Sequence, residues 1–171
     1  MIHTAIDAAQ LKLRPATAAD LAAVNVVIQR AVTTWKLPER VKRLVMPTYL
    51  YTAHDLEHLH IVLAEDSAAG VVGVAAWEPA AARDCPRGLR GLLLHGLYVD
   101  PGQRRHGAGA RLLSAAAAAA RERDCDGVLV KAQADAEGFF RKQGLQPLAV
   151  EDAGRDYPHR FWLDLAAQQV A

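Results

Sequence analysis

Cysteine is scarce in this chain. Two of its 171 residues are cysteine, Cys85 and Cys125, and no CxxC spacing or neighbouring histidine pair accompanies them. Two isolated thiols exclude a disulfide framework and read as small buried side chains in a reducing compartment. A surplus of charge is also missing, because 20 basic residues face 19 acidic ones for a formal net charge of +1. That balance argues against a nucleic-acid or membrane-surface partner, so any anion site must be local. No apolar run approaches the roughly 20 residues of a membrane span. The opening "MIHTAIDAAQLKLRP" has no basic start followed by an apolar stretch, so no signal peptide is expected and the cytoplasm is the expected location. Neither an internal repeat nor a linker is visible. One domain over residues 1–171 is therefore expected, with a single substantial core.

What is present is an ordinary globular composition, 51% hydrophobic and 23% charged. "LKLRPA" alternates like a short strand closed by Pro15. Thr17 and Asp20 form a capping-box signal, and Leu21, Val24, Ile28 and Val32 then recur at helical spacing. Pro38 opens a second helical region that Pro47 is expected to break or kink. "HIVLAED" and "GVVGVAAWE" read as a hairpin turning at Asp66–Gly70. "GLLLHGLYV" reads as a strand buried on both faces, where Gly96 suggests a bulge or the close approach of a ligand. The alanine-rich run from Gly107 to Asp124 is a strong helix former. "GVLVKA" is a buried strand, and "DAEGFFRKQG" a short helix capped by Asp135 and closed by Gly144. "LQPLAV" and "HRFWLDL" close the chain as a strand pair around Gly154. The expected order is β-α-α-β-β-β-α-β-α-β-β. The crossover through the alanine helix implies a parallel pair, and the hairpins imply antiparallel ones. The fold class is α/β, with a mixed, mostly antiparallel sheet flanked by helices.

The densest local signal is "VDPGQRRHGAG", Val99–Gly109. A strand that feeds a glycine-rich turn opening a helix makes an anion site from free amides and the positive end of the helix dipole. Gly107 and Gly109 allow close backbone approach, while Arg104 and Arg105 add charged donors. A P-loop is excluded because Ala110 and Arg111 follow Gly109, and a dinucleotide fingerprint because Leu112 replaces its third glycine.

The same stretch resembles the acetyl-CoA signature of the GNAT superfamily of N-acetyltransferases, a strand ending V-x-P followed by R/Q-x-x-G-x-G/A. Arg104, Gly107 and Gly109 fill its defined positions. "AEGFFRKQGL" resembles that superfamily's A-x-x-F-Y-x-x-x-G-F through Ala136, Phe139 and Gly144. The resemblance spans nearly the whole chain and implies a single acetyltransferase-like domain with acetyl-CoA as cosubstrate. It implies that pantetheine pairs with the backbone of Leu97, Tyr98 and Val99. The pyrophosphate would rest on the amides of Arg104, Arg105, His106, Gly107, Ala108 and Gly109. Gln133 stands where relatives carry an Asn beside the pantetheine arm. Phe140 occupies the position of the tyrosine that protonates the departing thiolate, and cannot donate. Arg141 and Lys142 either reach the 3′-phosphate or form a solvated face.

Acetyl transfer to an amine needs a base, because neutralising a lysine-like amine of pKa about 10.4 near neutral pH costs about 4 kcal/mol. It also needs an oxyanion donor, whose loss costs about 2.7–4 kcal/mol. For the base, imidazole titrates in the useful range, and His95 also lies where arylalkylamine N-acetyltransferases carry a proton-relaying histidine. Glu78 could act through a water. A backbone N–H near Tyr98 or Val99 is the implied oxyanion donor, and the Tyr98 hydroxyl or solvent is left to protonate the thiolate. The expected acceptor is a primary amine of a small molecule or protein. Trp35, Tyr49, Tyr51 and Tyr157 are read either as its groove or as core. No nucleic acid, membrane or metal is expected. His54, His58 and His60 share a helix-like spacing but lack a paired carboxylate, so they are read as surface. A homodimer is compatible with the resemblance. The alternative reading is a catalytically silent acyl-CoA-binding sensor or interaction module, which Phe140 favours.

Overall fold

The computed structural model describes residues 11–169. The expectation for Met1–Gln10, that no signal peptide opens the chain, falls outside that range. In chain order the elements are β1 (Lys12–Pro15), α1 (Leu21–Thr33), α2 (Glu39–Tyr49), α3 (Ala53–His58), β2 (His60–Asp66), β3 (Gly70–Pro79) and β4 (Gly91–Val99). They continue as α4 (Ala108–Glu122), β5 (Gly127–Lys131), α5 (Glu137–Lys142), β6 (Gln146–Pro147) and β7 (Arg160–Asp164). The sheet is mixed, seven-stranded and flanked by helices, with the order β1-β2-β3-β4-β5-β7-β6. β1 pairs antiparallel with β2, and β7 pairs antiparallel with both β5 and β6. β4 and β5 run parallel, as the helical crossover through α4 requires.

The residues group into two compact units. The first takes the chain to Ala76 together with Gly96–Leu113, and the second takes Trp77–His95 and the chain from Ser114. In the first unit α1 buries Val24, Val27, Ile28, Ala31 and Val32, a stripe at helical spacing, against Ile61, Leu63, Val74 and Ala76. Each fully buried valine or isoleucine contributes roughly 1.5–3 kcal/mol relative to exposure. The expected capping box is present before α1: the Thr17 amide and hydroxyl both donate to Asp20 Oδ2, at 2.8 Å each. In the second unit Trp162 packs on Leu129 and Cys85, with Leu93 and Leu148 beside them. Phe140 stacks on Phe161 at 6.2 Å between ring centroids.

Four local expectations need correction. The second helical region is two helices, so the order gains an α element. α2 runs through Pro47 and stops two residues later at Tyr49. A second box, Thr52 with Asp55, then starts α3, and its T-x-x-D pattern is readable in the sequence. β4 is buried on one face only: Leu92, Leu94, Gly96 and Tyr98 are buried, while His95 on the alternate face is exposed. The strand is continuous at Gly96. A Cβ there would stand 2.4 Å from Tyr51 Oη and 2.7 Å from Tyr98 Cε2, so two tyrosine side chains closely approach this stretch of backbone. Asp135 does not cap α5. It lies in a 3₁₀ turn, Ala134–Ala136, whose N-cap is Gln133. The strand expected from "LQPLAV" shrinks to the two residues of β6.

Candidate active site

In the first unit β4 hands over to α4 through Asp100–Gly107, and the turn is tied down at both ends. The Asp100 amide donates to Val72 O at 2.9 Å, and Asp100 Oδ1 accepts from the Gly102 amide at 2.9 Å. Arg30 Nη1 donates to Asp100 Oδ2 at 2.8 Å, and Arg104 Nη2 donates to Thr34 Oγ1 at 2.7 Å. Both bonds run to the C-terminal end of α1, so one helix end fixes the turn's entry and its middle. Arg105 and Gly107 lie in the left-handed region, with φ of 68° and 82°. The first helical bond of α4 runs from the Arg111 amide to Gly107 O at 3.0 Å. The amides of Ala108, Gly109 and Ala110 therefore precede the helix's own acceptors and face the turn. His106 Nδ1 is buried, with no hydrogen-bond partner among the described residues. An unmet buried donor or acceptor costs roughly 1–3 kcal/mol. The turn thus fits a phosphate in amide geometry, charge and unmet polarity.

Along β4 the paired register with β5 runs from Gly91↔Gly127 to Leu94↔Val130, and β5 itself ends at Lys131. β4 continues for five residues beyond Leu94, through Leu97, Tyr98 and Val99. Alternation along the strand sends the Tyr98 side chain to the face opposite His95. Tyr98 stacks on Trp35 at 6.4 Å and is buried in the first unit's core. That burial holds its hydroxyl well above the ordinary tyrosine range, with Tyr49 adding to the effect. The hydroxyl stays protonated and enclosed in that cluster. Trp35, Tyr49 and Tyr51 belong to the same cluster, with the Trp35 and Tyr49 rings edge to face at 5.1 Å.

In the second unit His95 Nδ1 lies 3.3 Å from Glu78 Oε1, both side chains partly exposed. The carboxylate accepts, so the neutral ring carries its hydrogen on Nδ1 and its lone pair on Nε2. Phe140 is buried against Phe139 and Phe161. Arg141 lies over the Phe161 ring at 5.4 Å and faces Glu137 at 3.7 Å, while Lys142 is exposed. A second histidine–carboxylate pair, His159 Nδ1 with Glu137 Oε1 at 2.5 Å, has no counterpart in the sequence reading. Its partners are 22 residues apart, and no local spacing announces them.

The mixed seven-stranded sheet flanked by helices is an arrangement shared with solved N-acetyltransferase structures. Residues 29–145 match the model of the acetyltransferase (GNAT) family, a span that includes His95, the whole turn and Phe140. The chain belongs to that family and is by class an acyltransferase. Solved structures of the same fold include PaiA N-acetyltransferase from Thermoplasma acidophilum in complex with coenzyme A. It is 12% identical, with 90% of this chain and 98% of that one covered at a TM-score of 0.71. A GCN5-related N-acetyltransferase from Rhodopseudomonas palustris is 19% identical, with 95% and 99% covered at 0.69. AtaT complexed with acetyl-methionyl-tRNAfMet is 17% identical, with 94% and 98% covered at 0.61. No curated protein sequence matches the chain. Among the described residues no helix is long and apolar enough to cross a membrane.

Proposed function

We propose that this protein moves an acetyl group from acetyl-CoA to a primary amine of a small molecule or protein, by direct attack within a ternary complex. The observation that carries the reading is the turn: left-handed Arg105 and Gly107 beside the free amides of α4, with the buried His106 nitrogen unmet. The residues seating the pyrophosphate are Arg104, Arg105, His106, Gly107, Ala108 and Gly109. Leu97, Tyr98 and Val99 offer backbone groups to the pantetheine, and Gln133 and Phe140 complete the cofactor set. Arg104 also bonds Thr34, so its contribution is partly to hold the turn in shape.

Acetyl-CoA supplies the acetyl group as a thioester, whose carbonyl carbon bonds the amine nitrogen as the C–S bond breaks. His95 Nε2 takes the proton of the incoming ammonium, and Glu78 holds the ring in that tautomer through Nδ1. A backbone N–H of Tyr98 or Val99 donates to the developing oxyanion. Solvent protonates the thiolate, which needs little help because a thiol of pKa near 8.5 is a fair leaving group. We read residues 1–171 as one such domain, supported by a family match that runs through both compact units. Two free cysteines fit a reducing, cytoplasmic setting. The near-balanced charge favours a small-molecule or protein acceptor, although AtaT, of the same fold, is complexed with an acetylated aminoacyl-tRNA.

A second reading, a silent acyl-CoA-binding module, rests on Phe140, a buried ring where the resemblance calls for a hydroxyl. Thiol release measured with acetyl-CoA and a panel of primary amines separates the two. Release above the hydrolysis background with at least one amine supports the enzyme. Background rates with every amine, alongside intact acetyl-CoA binding, support the silent module.

A further inference from the structure

From the short helix α3 we infer a second site, remote from the reaction above in its chemistry: His54, Glu57 and His58 form a chelate for a borderline divalent transition ion such as Zn²⁺. These residues sit at i, i+3 and i+4, which places them on one helical face. Their candidate ligand atoms all lie within 4.8 Å of one another. The two imidazole rings stand 4.1 Å apart between centroids at a tilt of 42°.

The face is held in place from behind. Asp55 accepts from the Thr52 amide at 2.7 Å and from the Thr52 hydroxyl at 2.8 Å, and the Leu59 amide returns to Asp55 O at 2.7 Å. Leu56 and Leu59 pack onto the first unit's core. His54, Glu57 and His58 are left exposed. One ring is also pre-set for coordination. His58 Nδ1 lies 2.8 Å from His54 O, and a carbonyl can only accept. Nδ1 therefore carries the hydrogen and Nε2 the lone pair, the arrangement in which an outer partner orients a ligating histidine.

Two imidazoles and one carboxylate suit Zn²⁺ and its neighbours. They do not suit Mg²⁺ or Ca²⁺, which take oxygen ligands. Three protein ligands leave a fourth tetrahedral position for water. By sequence spacing His54 and His58 group with His60, without a paired carboxylate. The structure places His60 in β2 and supplies Glu57 from the helix itself.

The test is a calorimetric titration of the full chain with Zn²⁺, with His3→Ala as background to remove a histidine near the amino terminus that could compete. Wild type and the His3→Ala background should both bind one equivalent. His54→Ala and His58→Ala should each weaken binding about 10–100-fold, and Glu57→Gln less, while His60→Ala leaves it unchanged. Co²⁺ absorption should show ligand-field bands without thiolate charge transfer, which excludes Cys85 and Cys125 as the ligands. Equal affinity in wild type and in the His54→Ala/His58→Ala double variant would overturn the site, as would a thiolate band.

Discussion

Glu78 Oε1 stands 3.3 Å from His95 Nδ1, joining the end region of β3 to the exposed face of β4. In the proposed mechanism this contact gives the two residues unequal roles, His95 as base and Glu78 as the group that orients it. His95→Ala should lower the acetyl-transfer rate about 10²–10⁴-fold, with acetyl-CoA affinity unchanged. Glu78→Gln should give a smaller loss, because an amide oxygen still accepts from Nδ1 but no longer stabilises the protonated ring. Steady-state kinetics with binding measured in parallel checks both. Equal rates in wild type and His95→Ala would remove the base assignment.

Gly107 carries the turn's conformation. Its φ of 82° suits glycine, so Gly107→Ala should weaken acetyl-CoA binding and cost about 1–2 kcal/mol of stability. Gly107→Asp adds a negative charge beside the proposed pyrophosphate seat and should abolish binding while the chain stays folded. Circular dichroism alongside the titration separates a lost site from a lost fold.

Gly96 lies packed against Tyr51 and Tyr98. Gly96→Ala brings a Cβ to 2.4 Å from Tyr51 Oη and should destabilise the protein by about 1–3 kcal/mol. Gly96→Ala in a Tyr51→Phe background should lose less than in wild type, because the nearest clashing atom is gone. A double-mutant cycle in chemical denaturant measures the difference.

Acid should unfold the protein through two carboxylates. The Arg14 hydrogen bonds hold Asp20 well below the ordinary range, and Arg155, with the Asp152 and Glu151 amides, does the same for Asp156. A depressed folded-state value contributes stability that is fully present above the ordinary Asp value of about 3.9 and is lost as pH falls below it. Denaturation midpoints should therefore hold steady from neutral pH to about pH 5 and drop below pH 4. Asp20→Asn should lower the midpoint at neutral pH and flatten that drop.

The parts of the fold legible in the sequence are those specified locally. The Thr17–Asp20 box, the α1 stripe and the turn between β4 and α4 are each written within a dozen residues. The placing of α3 is also legible, because the Thr52–Asp55 signal stands five residues beyond Pro47. Burial on β4 was not. Its apolar run reads as two buried faces, yet the exposed side is decided by which elements cover the sheet. In the candidate site, the glycines announce the proposed anion cradle. The bond from Arg104 to Thr34 spans 70 residues, and that from His159 to Glu137 spans 22, so only the folded chain reveals them. Tyr98 shows the reverse case. With Phe140 unable to donate, the sequence leaves solvent or the Tyr98 hydroxyl as proton donor, and strand alternation turns the Tyr98 side chain into the first unit's core.

The proposed function rests on the turn from Asp100 to Gly107 and the start of α4 seating acetyl-CoA. Calorimetric titration with acetyl-CoA and with free CoA tests it most directly. Saturable one-to-one binding of acetyl-CoA by wild type, lost in Gly107→Asp, is the predicted result. Absence of binding for both ligands, or equal affinity in wild type and Gly107→Asp, would contradict it.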